Sequence, residues 1–167
     1  MGFSDWDDWL TRRLVKPPYR DDIGKKGWLE RFTRARPHQV RALRWTISQW
    51  PRWTRPLRIA FLSDFHTGAH AGDVARLETI VAEAAAHAPD LVLYGGDFVN
   101  MIPFGGGRVP PKVIARILAR LPAPLGRLAV IGNHDRNYGE AEVIGALREH
   151  GITVLASEPH LLAFEHA

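Results

Sequence analysis

Three short polar clusters hold the residues in this sequence best suited to bind hard or borderline metal ions: Asp64-Phe65-His66, Gly95-Gly96-Asp97 and Gly132-Asn133-His134-Asp135. Carboxylate oxygen together with imidazole is a ligand set for divalent cations. Just beyond a strand end, residues i and i+2 can point to the same side, so Asp64 and His66 can chelate one ion. Asp97, approaching from a neighbouring strand, has two oxygens and can bridge two ions. Asn133 adds a neutral carbonyl that does not over-neutralise a second ion. The glycines before Asp97 and Asn133 permit a tight backbone and close approach of substrate, where any Cβ would obstruct. The chain has no cysteine, which excludes disulfides, thiolate zinc sites, iron-sulfur clusters and cysteine nucleophiles.

These clusters need elements to bring them together, and the apolar pattern supplies them. Residues 57–63 read as a short buried strand, and residues 64–72 as its loop. Asp73 is a plausible N-cap for a helix in which Val74, Leu77, Ile80, Val81 and Ala84 recur at helical spacing, until Pro89 stops it. A second strand covers 91–94. Pro110-Pro111 open a helix with Val113, Ile114, Ile117, Leu118 and Leu121 on one face. Residues 125–131 give a third strand, 132–139 its loop, 140–150 a third helix, 152–155 a fourth strand and 161–164 a fifth. The order βαβαβαββ predicts an α/β fold with a mostly parallel sheet. Such sheets place ligands at the carboxyl ends of their strands, where all three clusters fall.

With order and placement combined, the three clusters resemble the first three motifs of the calcineurin-like metallophosphoesterases. The local text 59–66 and 130–135 is similar to the bacterial phosphodiesterase-like branch of that family. The resemblance covers roughly residues 57–165 and implies an αββα sandwich, a dinuclear centre and hydrolysis of a phosphomonoester or phosphodiester. It implies that Asp64 and His66 ligate one metal, Asp97 bridges, and Asn133 ligates the second, the ions being manganese, zinc or iron. His134 would contact the phosphate and support or protonate the leaving oxygen, with Asp135 orienting its imidazole. The family continues with a further histidine ligand and a late G-H-x-H motif, and nothing after Asp135 has that form. The chain is therefore expected to be the N-terminal half of the domain, and to bind at most one ion weakly by itself. The alternative is a catalytically incompetent product that acts only as a weak metal-binding or membrane-associating module. His70 and Arg136 could each meet a phosphate or be solvated loop residues; His87, His150, His160 and His166 read as surface or helix-end residues.

Composition divides the chain near Pro56. The 167 residues are 46% hydrophobic and 24% charged with net charge +4, as expected of a folded globular chain. All six tryptophans lie before residue 57, where basic residues outnumber acidic ones, whereas residues 57–167 are net acidic. Residues 1–56 thus form a basic, Trp-rich extension and 57–167 the incomplete catalytic domain. Residues 37–50 can be drawn as a helix interleaving Val40, Leu43, Trp45, Ile47 and Trp50 with Arg41 and Arg44. Packing on the domain and peripheral membrane contact both suit that pattern, the latter fitting an enzyme of lipid headgroups. Nucleic acid is disfavoured by the acidic cluster Asp5, Asp7 and Asp8. Without a signal peptide or spanning segment, the expected place is the cytoplasm, with peripheral contact at the inner membrane face.

Overall fold

Strand-forming runs here are only two to four residues long, and each is bounded by proline, glycine or aspartate. The computed structural model describes residues 37–48, 56–70, 72–100, 109–156 and 160–162. The strands are β1 (Ile59–Leu62), β2 (Leu91–Tyr94), β3 (Arg127–Ala129) and β4 (Thr153–Val154). The helices are α1 (Asp73–Ala86), α2 (Pro111–Leu118) and α3 (Asn133–Glu149), giving the order βαβαβαβ. The four strands form one parallel sheet in sequential order, with Phe61 opposite Leu93, Leu93 opposite Leu128, and Leu128 opposite Thr153.

Sequential parallel order combined with right-handed crossovers puts all three helices on the same face of the sheet. The core lies between the two layers. Leu77 and Val81 come from α1, Ile114, Ala115, Ile117 and Leu118 from α2, and Val143, Ala146 and Leu147 from α3, packing with Val92, Tyr94 and Ala129 of the strands. Burying one such leucine or isoleucine contributes roughly 1.5–3 kcal/mol, and truncation of Leu118 to alanine would cost about 2–5 kcal/mol. The Tyr94 hydroxyl donates to the carbonyl of Leu118 at 2.9 Å, tying β2 to α2. Burial pushes this phenol well above its ordinary range, against a smaller opposing effect of Arg127.

The opposite face of the sheet is apolar and open. Because side chains alternate, Ile59, Phe61, Leu93, Leu128 and Val130 share that face. Phe61 is 68% exposed, and Ile59 and Val130 are exposed with it. A second layer of a sandwich would cover such a surface.

Several elements differ from the sequence expectation. Gly72, at φ 77, is the N-cap of α1, and Asp73 is the first helical residue. Residues 133–138, expected as loop, are helical, and Gly139 (φ 150) breaks α3 where the expected helix was to begin. Residues 37–48 form no helix and are almost wholly exposed. With no surface to bury an apolar stripe, a helix this short does not repay its nucleation. Residues 161 and 162 are not strand, and the rest of the expected fifth strand, like residues 49 and 50, lies outside the described residues.

Candidate metal centre

The spacing of Asp64-Phe65-His66 is set by what the middle residue does. Phe65 is buried and stacks on Phe98 at 5.9 Å between ring centroids, with Tyr94 6.2 Å from Phe65 and 6.1 Å from Phe98. Phe65 and Phe98 point into the core. Asp64, His66 and Asp97, their neighbours in sequence, are left at the surface end of the sheet.

The loops after β1 and β2 continue the strands' pairing beyond their ends. Asp64 N–H donates to the Gly96 carbonyl at 3.2 Å, His66 N–H to that of Asp97 at 2.9 Å and Thr67 N–H to that of Phe98 at 3.0 Å. To do this, Asp64, His66 and Asp97 take left-handed backbone at φ 59, 42 and 56. Non-glycine residues held there cost of order 1 kcal/mol or more each, and such strain clusters where side chains must be aimed.

Glycine is required where the loops after β2 and β3 cross. A Cβ on Gly132 would come 2.0 Å from Oδ1 of Asp97, and one on Gly96 would come 2.6 Å from the Gly132 amide nitrogen. What a Cβ would displace is Asp97 itself.

Asp135 is fully buried and acts on the backbone. Its Oδ2 accepts from the amides of Asp97 at 2.8 Å and Gly132 at 3.0 Å, and its Oδ1 from those of Phe98 at 2.9 Å and Val99 at 3.2 Å. The expectation that Asp135 orients the His134 imidazole meets a different arrangement: Nδ1 of His134 is buried with no hydrogen-bond partner. An N–H donor array of this kind saturates a carboxylate, leaving no lone pair aimed at a ring.

The side chains above this frame converge. One ligand atom each of His66, Asp97 and His134 lie within 4.8 Å of one another. The His66 and His134 rings meet edge to face at 4.4 Å. Nε2 of His66 is 3.9 Å from Oδ1 of Asp64 and 4.0 Å from Oδ2 of Asp97. Asp64 stands at the exposed rim, and Asn133 is exposed at the start of α3. Nδ1 of His66 is also buried without a partner. Two carboxylates around imidazoles with unsatisfied nitrogens fit a divalent cation.

Two residues outside the expected set shape the loop after β1. The buried Asp73 carboxylate accepts from the amides of Gly68 at 3.1 Å and His70 at 2.8 Å, and from Nε of Arg76 at 3.1 Å. Arg76 also donates to the Phe65 carbonyl at 3.0 Å. An acid at a helix start with an arginine three residues on was the available signal. The remaining candidates lie outside that group. His70 is half-buried, its buried Nδ1 3.7 Å from Asp73 and without a hydrogen-bond partner, Arg136 is exposed 4.0 Å from Glu140, and His150 Nδ1 lies 2.9 Å from the Ala146 carbonyl. His87 and His160 are exposed, and His166 lies outside the described residues.

Comparison with known proteins bears on the same residues. A family model described as "Calcineurin-like phosphoesterase" matches residues 57–160. The chain is 29% identical over 127 residues to the UDP-2,3-diacylglucosamine pyrophosphatase LpxG of Chlamydia trachomatis, covering 75% of this chain and 36% of that protein. It is 31% identical over 121 residues to a metallophosphoesterase of Aquifex aeolicus, covering 71% and 44%. It is 30% identical over 111 residues to the phosphodiesterase YaeI of Escherichia coli, covering 65% and 39%. The chain thus spans less than half the length of each of these relatives. No solved structure gives a significant match.

Proposed function

This chain belongs to the calcineurin-like phosphoesterase family, and from that premise we propose that it carries part of the catalytic centre of a metal-dependent phosphodiesterase. The observation that carries the reading is the convergence of His66, Asp97 and His134 beyond three strand ends, the first two on strained backbone and the third in the first turn of α3. The full centre is proposed to be dinuclear, with Asp64 and His66 holding one ion, Asp97 bridging and Asn133 holding the other. Divalent cations bound there supply positive charge that neutralises phosphoryl oxygens and makes water acidic enough to attack near neutral pH.

The chain's own residues do the rest. Asp135 locks the amides of residues 97–99 and 132, so that Asp97 cannot swing away as charge develops. His134 enters the site from the first turn of α3. Its backbone N–H donates to Asp97 at 3.0 Å, and its imidazole is the group we assign to contact a phosphate and pass a proton to the leaving oxygen. The named activities of LpxG and YaeI, a UDP-2,3-diacylglucosamine pyrophosphatase and a phosphodiesterase, favour a diester or diphosphate substrate, including one borne on a lipid headgroup.

The test is hydrolysis of bis-p-nitrophenyl phosphate by the full gene product with manganese present. Activity lost in Asp97→Asn and on chelation is the expected result. Metal-independent turnover, or turnover that survives the substitution, would overturn the reading.

A further inference from the structure

Residues 31–56 contain seven arginines and neither aspartate nor glutamate. Within this stretch the structure describes 37–48, and there the large apolar side chains are not packed away: Trp45 is 81% exposed, Leu43 76%, with Val40 and Ile47 exposed beside Arg41 and Arg44. Packing on the catalytic domain is therefore not what Trp45 does. The segment is nonetheless attached, because His38 Nε2 lies 2.5 Å from Oε2 of Glu83 on α1.

We propose that residues 40–47 are a docking surface for an anionic lipid bilayer. Arginine guanidinium groups complement anionic headgroups, and each basic residue near such a surface adds to the attraction. Tryptophan settles at the boundary between headgroups and acyl chains, and Leu43, Val40 and Ile47 gain by leaving water only if an apolar phase receives them. A nucleic acid backbone would satisfy the arginines but offers nothing to the three aliphatic side chains. The His38–Glu83 contact places the segment's start beside α1, and the chain itself joins the segment to the domain, so a bilayer bound there would keep the domain near the surface. This inference is independent of the hydrolase reading, because binding is measured without turnover.

The experiment is co-sedimentation of the 167-residue chain with phosphatidylcholine vesicles, and with vesicles containing about 30 mol% phosphatidylglycerol, at low and high salt. Binding to the anionic vesicles, weakened by salt, is expected. The double variants Arg41→Gln/Arg44→Gln and Leu43→Ser/Trp45→Ser should each weaken it roughly tenfold or more. Because these side chains are exposed, both variants should keep the wild-type circular dichroism spectrum and unfolding midpoint. No binding, equal binding to neutral vesicles, or binding indifferent to both variants would overturn the proposal. So would tighter binding of a random-sequence DNA duplex than of anionic vesicles, which would assign the arginines to nucleic acid.

Discussion

Asp97 and Asp135 clasp one another through the backbone: Asp135 accepts the Asp97 amide at 2.8 Å, while Asp97 accepts the amide of His134, the residue before Asp135, at 3.0 Å. Two carboxylates that would otherwise repel are each turned onto N–H donors, one of them in the first turn of α3 where the helix dipole favours negative charge. The loops after β2 and β3 are thereby one unit, and the candidate ligand Asp97 is tied to the loop after β3.

Asp135 should therefore behave as a structural anchor with a functional consequence. Asp135→Ala leaves four amides, two of them buried, without this acceptor, and a loss of stability of about 3–5 kcal/mol is expected. Urea unfolding measures it. Asp135→Asn keeps the shape but turns an NH2 toward N–H donors, so it too should destabilise, and an unaltered midpoint in both variants would remove the anchor role.

Gly132→Ala tests the crossing of the two loops. Its Cβ would fall on Asp97, so metal affinity should drop at least tenfold, an effect in the range seen when the support of a metal ligand is removed. Gly145→Ala, inside the helix that Gly132 precedes, is the control: open space surrounds that position, and a stability gain of up to about 1 kcal/mol is expected there. Calorimetric metal titration and thermal unfolding of the two variants compare them.

How far these features could be read from the sequence depends on whether their partners are local. The second strand was readable over Leu91–Tyr94 because Pro89 and Gly95 bracket an apolar run, and α1 because Leu77 and Val81 repeat at helical spacing. The start of α3 was not, because Gly-Asn-His-Asp-Arg-Asn-Tyr-Gly has no apolar period. That turn is fixed by Asp135 accepting the Gly132 amide, and Gly139 then breaks the helix where the legible pattern begins. The metal-binding residue types were visible as motifs, but the four amides that saturate Asp135 come from loops more than thirty residues apart in part, which no local pattern records. The exposed state of Trp45 was equally hidden, since the same spacing would serve a packed helix.

Tyr94 gives a pH dependence with a definite sign. Burial raises its phenol above the ordinary 10.0, so the folded chain keeps a proton that the unfolded chain releases. The stability involved is fully present below pH 10.0 and is lost as pH rises beyond it. Tyr94→Phe should cost about 1 kcal/mol near neutrality, by removing one hydrogen bond from a Leu118 carbonyl that keeps the Leu121 amide, and should lack the alkaline loss. Urea unfolding of both proteins between about pH 8 and 11 decides it. Parallel pH profiles would show that another group sets the alkaline limit.

The last prediction concerns how many cations this chain holds. Two divalent ions roughly 3.5–4 Å apart repel strongly, and enough donors must surround them to offset that repulsion and replace lost hydration. Among the described residues, the proposed ligands His66 and Asp97 lie together beside His134, with Asp64 at the rim, which is a partial ligand set for one ion. One weakly bound manganese or zinc ion is the expected stoichiometry in titration calorimetry. Asp97→Ala should abolish it, since the carboxylate beside the His66 imidazole is the proposed bridging ligand, and Asp64→Ala should weaken it more than Asn133→Ala, because a carboxylate brings charge and an amide only a dipole. Two tight sites on this chain would refute the prediction, and would mean that donors beyond this group, from the remaining histidines or from a second copy, complete the centre.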